Sequence, residues 1–362
     1  MINFANPLSE YKYLKKDIDK AVFRTLKSND YILGDEVKKF QINFSKKLKS
    51  RFCIATSNGT DALIIAIKSL NIKRNDKIIV PSHTATATVS AIIESGAIPI
   101  FADIKDDFNI DLDKISSKDL IEAKAIILVH LYGNPCEINK ALILKRKYNI
   151  KIIEDCSQAH FAIYKKKYVG CYGDVSCFSF YPTKNLSALG DAGAIITNNE
   201  KIFQKCKILR EYGWIKKNYS IVHGTNRRMD EIQASILNVK LKKISFFNNK
   251  RKDIAKFYLN NIYNKRIILP NKRIVDNSVF HLFVIRVPKR ERKLIIDKFK
   301  SKNIQLGIHY FKANHQQKPY KQFYKNNLHK TNQLVKEIIS IPIYPLLKID
   351  QMKKIVNLLN KI

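Results

Sequence analysis

The chain of 362 residues is 45% hydrophobic, enough for a large buried core in two domains or in one domain with an appendage, which excludes a short peptide-like binding module. Its 66 Lys and Arg against 31 Asp and Glu give a formal net charge of +35, which invites a nucleic-acid-binding interpretation. The basic residues are spread along the whole chain and no RRM, zinc-finger or homeodomain signature occurs, so we expect no nucleic acid partner but a positive field that favours nucleotide diphosphates.

The N-terminal residues and the cysteines indicate the compartment. No stretch of about 18 uncharged apolar residues occurs, and residues 1–20 lack the charged-then-apolar order of a secretory signal. The six cysteines show no CxxC spacing and lie mostly in apolar or strand-like surroundings. We therefore expect a cytoplasmic protein with no membrane partner, no metal site and no disulfide framework.

Short β-rich segments alternate with helical stretches from about Asn58 to Asn198. This alternation is typical of a mainly parallel sheet with helices on both faces. The expected strands are residues 53–55, 78–80, 100–102, 125–129, 150–154, 176–180 and 194–197. A buried helix is expected after Thr60, and a helix rich in small residues is expected to begin near Thr84 and end at Gly96.

The pattern changes after Met229, where residues 230–262 predict one long helix, or two joined helices, with a strongly basic face. The remaining expected elements are a strand at 281–287 and helices at 291–301 and 349–360. We therefore predict a large domain over 1–246, which includes the N-terminal segment, and a smaller C-terminal α+β domain over 247–362, with the boundary near Phe246.

The segment Asn58-Gly59-Thr60 ends one predicted strand and opens a helix. Glycine permits close backbone approach, and the free amides and positive dipole of a helix N-terminus suit a phosphate, with the Thr60 hydroxyl as a further donor. Taken alone, the segment favours an ordinary helix N-cap. It indicates a phosphate site only together with the two motifs that follow.

Asp155 and Gln158 follow the predicted strand 150–154, at the edge where open α/β sheets bind ligands. A carboxylate at this edge can pair with a protonated ring nitrogen, and Gln158, one turn further on, can reach a neighbouring oxygen. The alternative is that Asp155 caps the next helix.

Lys184 follows Ser179 and Pro182 in a turn between the last two predicted strands. A lysine amine forms a Schiff base with an aldehyde, and a serine at a strand end can hold a phosphate. Most lysines of so basic a chain are solvated surface charges, so Lys184 alone predicts nothing. One lysine, one carboxylate and two phosphate donors at one sheet edge together predict pyridoxal 5′-phosphate (PLP) as the cofactor.

The motifs NGTDAL, PSHTATAT, EDCSQAH, SFYPTKN, LGDAGAI and GTNRRMDEIQASIL follow one another in this order, between YILGDEV near the N-terminus and IPIYPLL near the C-terminus. In this combination the chain resembles the DegT/DnrJ/EryC1/StrS family of nucleotide-sugar aminotransferases over nearly its whole length. The resemblance implies an α/β protein of PLP-dependent transferase fold type I, with a mainly parallel seven-stranded sheet between helices in the large domain and a smaller C-terminal α+β domain. It also implies a homodimer with active sites at the subunit interface.

The resemblance further implies roles for individual residues. In the family, the lysine that matches Lys184 forms the internal aldimine with PLP and shuttles protons, and the aspartate that matches Asp155 pairs with the pyridine nitrogen. The residue that matches Gln158 contacts the cofactor ring region. The positions that match phosphate contacts are Gly59, Thr60 and Ser179, and Asn226 matches an asparagine that reaches the phosphate from the partner subunit.

The segment PSHTATAT departs from the family at Ala85, where many relatives have an aromatic residue that stacks on the pyridine ring. His83 would supply that stacking or make a structural hydrogen bond, and both interpretations stay open. Four further residues resemble polar and aromatic positions near the substrate pocket of the family, although packing roles are at least as well supported: Tyr132, His309, Tyr310 and His315.

The expected reaction is a ping-pong transamination. An amino acid, which we expect to be L-glutamate, leaves pyridoxamine phosphate, which then aminates a nucleotide-linked keto-sugar such as a dTDP-3-keto-6-deoxyhexose for amino-sugar or surface polysaccharide biosynthesis. One alternative is PLP-dependent sugar dehydration on the same fold, which Lys184 disfavours because histidine replaces the lysine there. The other is a non-catalytic nucleic-acid-binding or regulatory protein, which would have little reason to keep the predicted site residues together.

Overall fold

The computed structural model describes residues 1–324 and 327–362, which contain thirteen strands and twelve α-helices. The strands are β1 (Phe52–Thr56), β2 (Lys77–Pro81), β3 (Ile98–Ala102), β4 (Ala123–Val129), β5 (Lys151–Asp155), β6 (Ile163–Tyr164), β7 (Lys167–Tyr168), β8 (Val175–Ser179), β9 (Gly193–Thr197), β10 (Trp214–Lys216), β11 (Tyr219–Ser220), β12 (Phe283–Arg286) and β13 (Ile338–Ile341). The helices are α1 (Pro7–Leu26), α2 (Asp35–Leu48), α3 (Gly59–Ser69), α4 (Thr86–Glu94), α5 (Ser117–Glu122), α6 (Ile138–Tyr148), α7 (Glu200–Leu209), α8 (Glu231–Leu241), α9 (Ile244–Asn261), α10 (Arg292–Ser301), α11 (His329–Leu334) and α12 (Ile349–Asn360).

Seven strands form one sheet in the order β1-β9-β8-β5-β4-β2-β3. Strand β9 runs antiparallel to both of its neighbours, and the other adjacent pairs are parallel. The seven strands are those predicted from the sequence, so the mainly parallel sheet is confirmed. Asp155 and Ser179 are the last residues of the adjacent parallel strands β5 and β8, which places both side chains at the same edge of the sheet.

Helices cover both faces of this sheet, because successive side chains of each strand point to opposite sides. In β5, Ile152 packs into a core cluster with Phe40 and Phe44 of α2, whereas Ile153 packs into a second cluster with Leu63 of α3 and Val89 of α4. Both strand faces are therefore buried, which explains the continuous apolar runs that predicted the strands.

The C-terminal part has a separate core. A third cluster joins α9, α10 and α12 to the antiparallel pair β12 and β13, and Ile2 at the N-terminus forms a parallel bridge to Ile304 there. The predicted helix over 230–262 is two helices, α8 and α9. The domain boundary near Phe246, which lies within α9, stays a prediction.

Two further findings concern membrane-spanning helices and the cysteines. No helix in the described part of the chain is both long and apolar enough to span a lipid bilayer. All six cysteines are buried and unpaired.

Candidate active site

A cavity of about 500 Å³ lies where β5 and β8 end beside the N-terminus of α3. It contains six of the seven residues that the sequence predicted for the site, brought together from three separate segments. These residues are Gly59, Thr60, Asp155, Gln158, Ser179 and Lys184.

The N-terminus of α3 forms one wall of the cavity. Asn58 is the N-cap, and its side-chain oxygen accepts a hydrogen bond of 2.8 Å from the amide of Asp61. Among the described residues, no acceptor pairs with the amides of Gly59 and Thr60. A Cβ atom on Gly59 would lie 2.6 Å from the Cβ of Ser179, so only glycine allows this approach. The free amides, together with the Thr60 and Ser179 hydroxyls, form a cradle suited to a phosphate.

Asp155, the last residue of β5, also lines the cavity and is 4% exposed. One of its oxygens accepts a hydrogen bond of 2.9 Å from the Thr88 hydroxyl, and the other accepts one of 3.1 Å from the Ser157 amide. A turn rather than a helix follows β5, so the helix-cap alternative for Asp155 is wrong. Thr88 was not predicted as a site residue, although its place four residues after Thr84 in PSHTATAT was a usable signal.

Lys184 is partly buried between the large cavity and a smaller one of about 200 Å³. Burial lowers the pKa of its amine to about 8, and the Asp155 carboxylate opposes that shift. No hydrogen bond holds the amine within the described residues. About a tenth of the amine is therefore neutral at pH 7, far more than for an ordinary lysine, and a nucleophilic or proton-accepting lysine requires the neutral form.

Gln158 connects the edge of the sheet to the C-terminal region through hydrogen bonds. Its oxygen accepts a hydrogen bond of 2.8 Å from the Tyr132 amide, and its nitrogen donates one of 2.9 Å to the Tyr310 hydroxyl. The Tyr132 hydroxyl in turn donates to the His309 carbonyl and lies 2.6 Å from a ring nitrogen of His83. Gln158 therefore both lines the large cavity and fixes the segment that carries Tyr310.

His83 does not line the large cavity, and its buried ring is held by the Tyr132 hydroxyl. Of the two open interpretations, the structure shows the hydrogen bond. Ala85, at the N-cap of α4, does line the cavity, so the departure from the family lies in the cavity wall. His315 bonds to Ser82 at 2.6 Å and lines neither cavity, which is a packing role.

Asn226 is the one predicted site residue that lies outside the large cavity. It is exposed and lines a neighbouring pocket of about 310 Å³ that shares Asn58 and Asp191 with the large cavity. The adjacent Arg227 forms ion pairs with Asp61 of α3 and with Glu94 of α4, the latter at 2.7 Å. This anchoring keeps Asn226 at the surface, where its predicted role requires a second subunit.

Known proteins match this chain over nearly its whole length. The family model of the DegT/DnrJ/EryC1/StrS aminotransferases matches residues 12–360. The chain is 40% identical to dTDP-3-amino-3,6-dideoxy-alpha-D-galactopyranose transaminase of Aneurinibacillus thermoaerophilus over 348 residues, which are 96% of this chain and 95% of the relative.

Solved structures agree with the sequence comparisons. DesV of S. venezuelae, in complex with a ketimine intermediate, has a TM-score of 0.94 at 30% identity and covers 99% of this chain and 98% of its own. NtdA of Bacillus subtilis, with bound cofactor PMP, has a TM-score of 0.88 at 30% identity, over 95% of this chain and 81% of its own. The fold expected from the resemblance is thereby confirmed, and the chain belongs to the DegT/DnrJ/EryC1/StrS aminotransferase family.

Proposed function

We propose that this chain moves an amino group from an amino acid, which we take to be L-glutamate, to a nucleotide-linked keto-sugar. As a member of the family it is an aminotransferase with PLP as cofactor. The observation that carries the proposal is that Lys184, Asp155 and the phosphate cradle line one cavity. The dTDP-linked 3-amino sugar in the name of the Aneurinibacillus relative favours a dTDP-3-keto-6-deoxyhexose as the acceptor.

The residues of the cavity fit PLP at each of its polar groups. The amides of Gly59 and Thr60 and the hydroxyls of Thr60 and Ser179 would hold its phosphate. Asp155 would pair with the protonated ring nitrogen of PLP, and Lys184 would bond to the aldehyde carbon of PLP. When bound, PLP supplies an aldehyde that condenses with amines and a ring that withdraws electrons from the adjacent carbon.

Lys184 would move the protons of both half-reactions. Its Nζ atom takes the proton from the α-carbon of the amino acid in the first half and delivers a proton to the amine-bearing carbon of the sugar in the second. A pKa of about 8 suits both directions, because the amine exchanges protons readily near neutral pH. The Thr88 hydroxyl and the Ser157 amide keep the Asp155 carboxylate oriented throughout.

We also propose that two copies of the chain share their active sites. The hairpin of β10 and β11 and the residues after it expose large apolar side chains close in sequence to Asn226. These are Ile215, Tyr219, Ile221 and Val222. Such a patch supports burial against a second copy, which would bring Asn226 toward the partner's phosphate cradle.

The proposed cellular role rests on the state of the cysteines. Six buried, unpaired cysteines suit the reducing cytoplasm. An amino-sugar nucleotide made there would serve surface polysaccharide or similar amino-sugar biosynthesis.

Replacing Lys184 tests the proposed reaction. The variant Lys184→Ala should lose at least about 100-fold of its turnover, because general acid–base catalysis contributes that much or more. The measurement is release of 2-oxoglutarate from glutamate with a panel of keto-sugar nucleotides, together with the visible absorbance of covalently bound PLP, which should disappear.

Lys165→Ala, at an exposed lysine in the turn between β6 and β7, is the matched control and should behave like the unaltered protein. Full transaminase activity in Lys184→Ala would contradict the assignment.

A further inference from the structure

The smaller cavity beside Lys184 is lined partly by residues that have no role in the reaction proposed for the large cavity. It has a volume of about 200 Å³ and shares Lys184 and Gln158 with the large cavity. Phe4 and Ala5 of the N-terminal segment line it, and the Phe4 ring stacks on His309 with ring centroids 5.0 Å apart. A small compartment built partly from the N-terminal segment thus adjoins the reacting amine.

Arg251 of α9 lines this compartment and is 3% exposed. Its Nη1 atom donates to the carbonyls of His281 and Ile343, at 3.3 and 2.8 Å. Its Nε atom is buried without a partner, and its Nη2 atom makes no hydrogen bond to any described residue. The edge formed by Nε and Nη2 is the one that pairs side-on with both oxygens of a carboxylate. A buried N–H group without an acceptor, here that of Nε, is costly, which points to a ligand that supplies one.

The charges around the compartment favour an anion. No Asp or Glu is among the described residues that line it, and Arg251 and Lys184 supply its positive charge. Burial lowers the pKa of His309 to about 4 and that of His281 well below its usual value, so both rings are neutral at pH 7. Glu10, the acid whose charge acts on Arg251, is itself paired with Lys240 at 3.3 Å.

We infer that the compartment binds a carboxylate of the amino-acid donor, with Arg251 forming the side-on ion pair and the donor's amino group directed toward Lys184. This inference rests on the proposed transamination. The proposed acceptor, a nucleotide-linked 6-deoxyhexose, is far larger than the compartment and carries a methyl group rather than a carboxylate at C6, so it gains no such ion pair from Arg251. Arg251 would accordingly select the donor and leave the acceptor sugar to other residues.

Separate measurement of the two half-reactions tests this role. In Arg251→Gln, the glutamate concentration for half-maximal conversion of PLP to pyridoxamine phosphate should rise about 10- to 100-fold, as expected for loss of hydrogen bonds to a charged group. The KM for the keto-sugar nucleotide should stay within about 2-fold, and Arg251→Lys should recover part of the glutamate affinity. Lys250→Gln, at the exposed neighbour on α9, is the matched control.

Arg251 also donates to two backbone carbonyls, so its replacement could disturb the fold as well as the compartment. A second variant, which leaves Arg251 in place, separates the two effects. Ala5→Leu fills the compartment from the N-terminal segment without altering the guanidinium, and it should weaken glutamate in the same selective way. Calorimetric titration with 2-oxoglutarate should show the same losses of affinity in both variants.

Unchanged glutamate dependence in both variants would overturn the inference about Arg251 but not the proposed function. An equal loss of affinity for the sugar nucleotide would do the same. If instead the unaltered protein transfers no amino group from any amino acid to any keto-sugar nucleotide, the proposed function fails, and that outcome is distinct from the first.

Discussion

Thr88 determines how the Asp155 carboxylate faces the cavity. Its hydroxyl donates to one carboxylate oxygen at 2.9 Å and lies 3.1 Å from the hydroxyl of Thr84, one helical turn earlier. Asp155 is almost fully buried, and an anion in that position must be compensated by hydrogen-bond donors. Thr88 is thus a positioning residue that acts on the cofactor through Asp155.

Thr88→Val should leave the shape of the site intact but remove that donor. We expect PLP affinity to fall about 10-fold, the cost of one hydrogen bond to a charged group. The measurement is the PLP dissociation constant from absorbance titration, with Thr88→Ser expected to restore it. Thr86→Val, at an exposed position of the same helix, is the control, and equal affinities in all three variants would refute the role.

Sequence patterns predicted six residues that line the large cavity, because each motif has its own local chemistry. Gly59 stands at a helix start, Lys184 in a turn and Asp155 at the end of an apolar strand, all of which are visible without a structure. Arg251 carried no such signal, because it is one basic residue in a helix whose sequence is rich in lysine. Only packing shows that it is buried.

At the scale of elements, the close approach of α3 to β8 builds the phosphate cradle. The Gly59 backbone and the Ser179 side chain meet without room for another carbon atom. Arg227 forms ion pairs with both Asp61 in the first turn of α3 and Glu94 at the end of α4, and so links the two helices. The helix N-terminus is therefore fixed before any phosphate arrives, which lowers the entropic cost of binding.

Gly59→Ala should push α3 away from β8. A Cβ atom 2.6 Å from the Ser179 Cβ should cost about 1–3 kcal/mol of unfolding free energy, as overpacking usually does, and should weaken PLP binding. Chemical denaturation and PLP titration measure the two effects.

Adding Ser179→Gly to that variant removes the clashing atom, so most of the stability should return while PLP affinity stays low because a phosphate donor is gone. If Gly59→Ala alone is as stable as the unaltered protein, the cradle has more room than its geometry indicates.

Strand β13 was not predicted from the sequence, and the choice between one helix and two over residues 230–262 stayed open. Strand β13 has four residues without polar alternation, and so short an apolar run does not distinguish strand from helix. The break between α8 and α9 contains neither Gly nor Pro, so the choice between one helix and two stayed open until the packing was known.

At the scale of the whole molecule, the proposed dimer accounts for the apolar hairpin and for the position of Asn226. Four large side chains between residues 215 and 222 are roughly half exposed, which is unfavourable for an isolated chain. A shared active site would bury them and complete the phosphate cradle at the same time.

Ile221→Asp should dissociate that dimer, because a charge in an apolar interface loses its hydration without gaining a partner. Light scattering during size-exclusion chromatography should show the molar mass halved, and activity should fall with it. Ile143→Asp, at an equally exposed isoleucine of α6, is the control. A monomeric unaltered protein, or a variant that remains dimeric, would contradict the proposed interface.

The family, the cofactor and the sheet can all be predicted from the sequence, because strands, turns and helix starts follow from chemistry that is local along the chain. Only the folded chain shows that Thr88 orients Asp155, that His83 makes a hydrogen bond, and that Arg251 lies buried beside Lys184. Those contacts join segments far apart in the sequence, and their existence depends on how the helices pack against the sheet rather than on any local pattern.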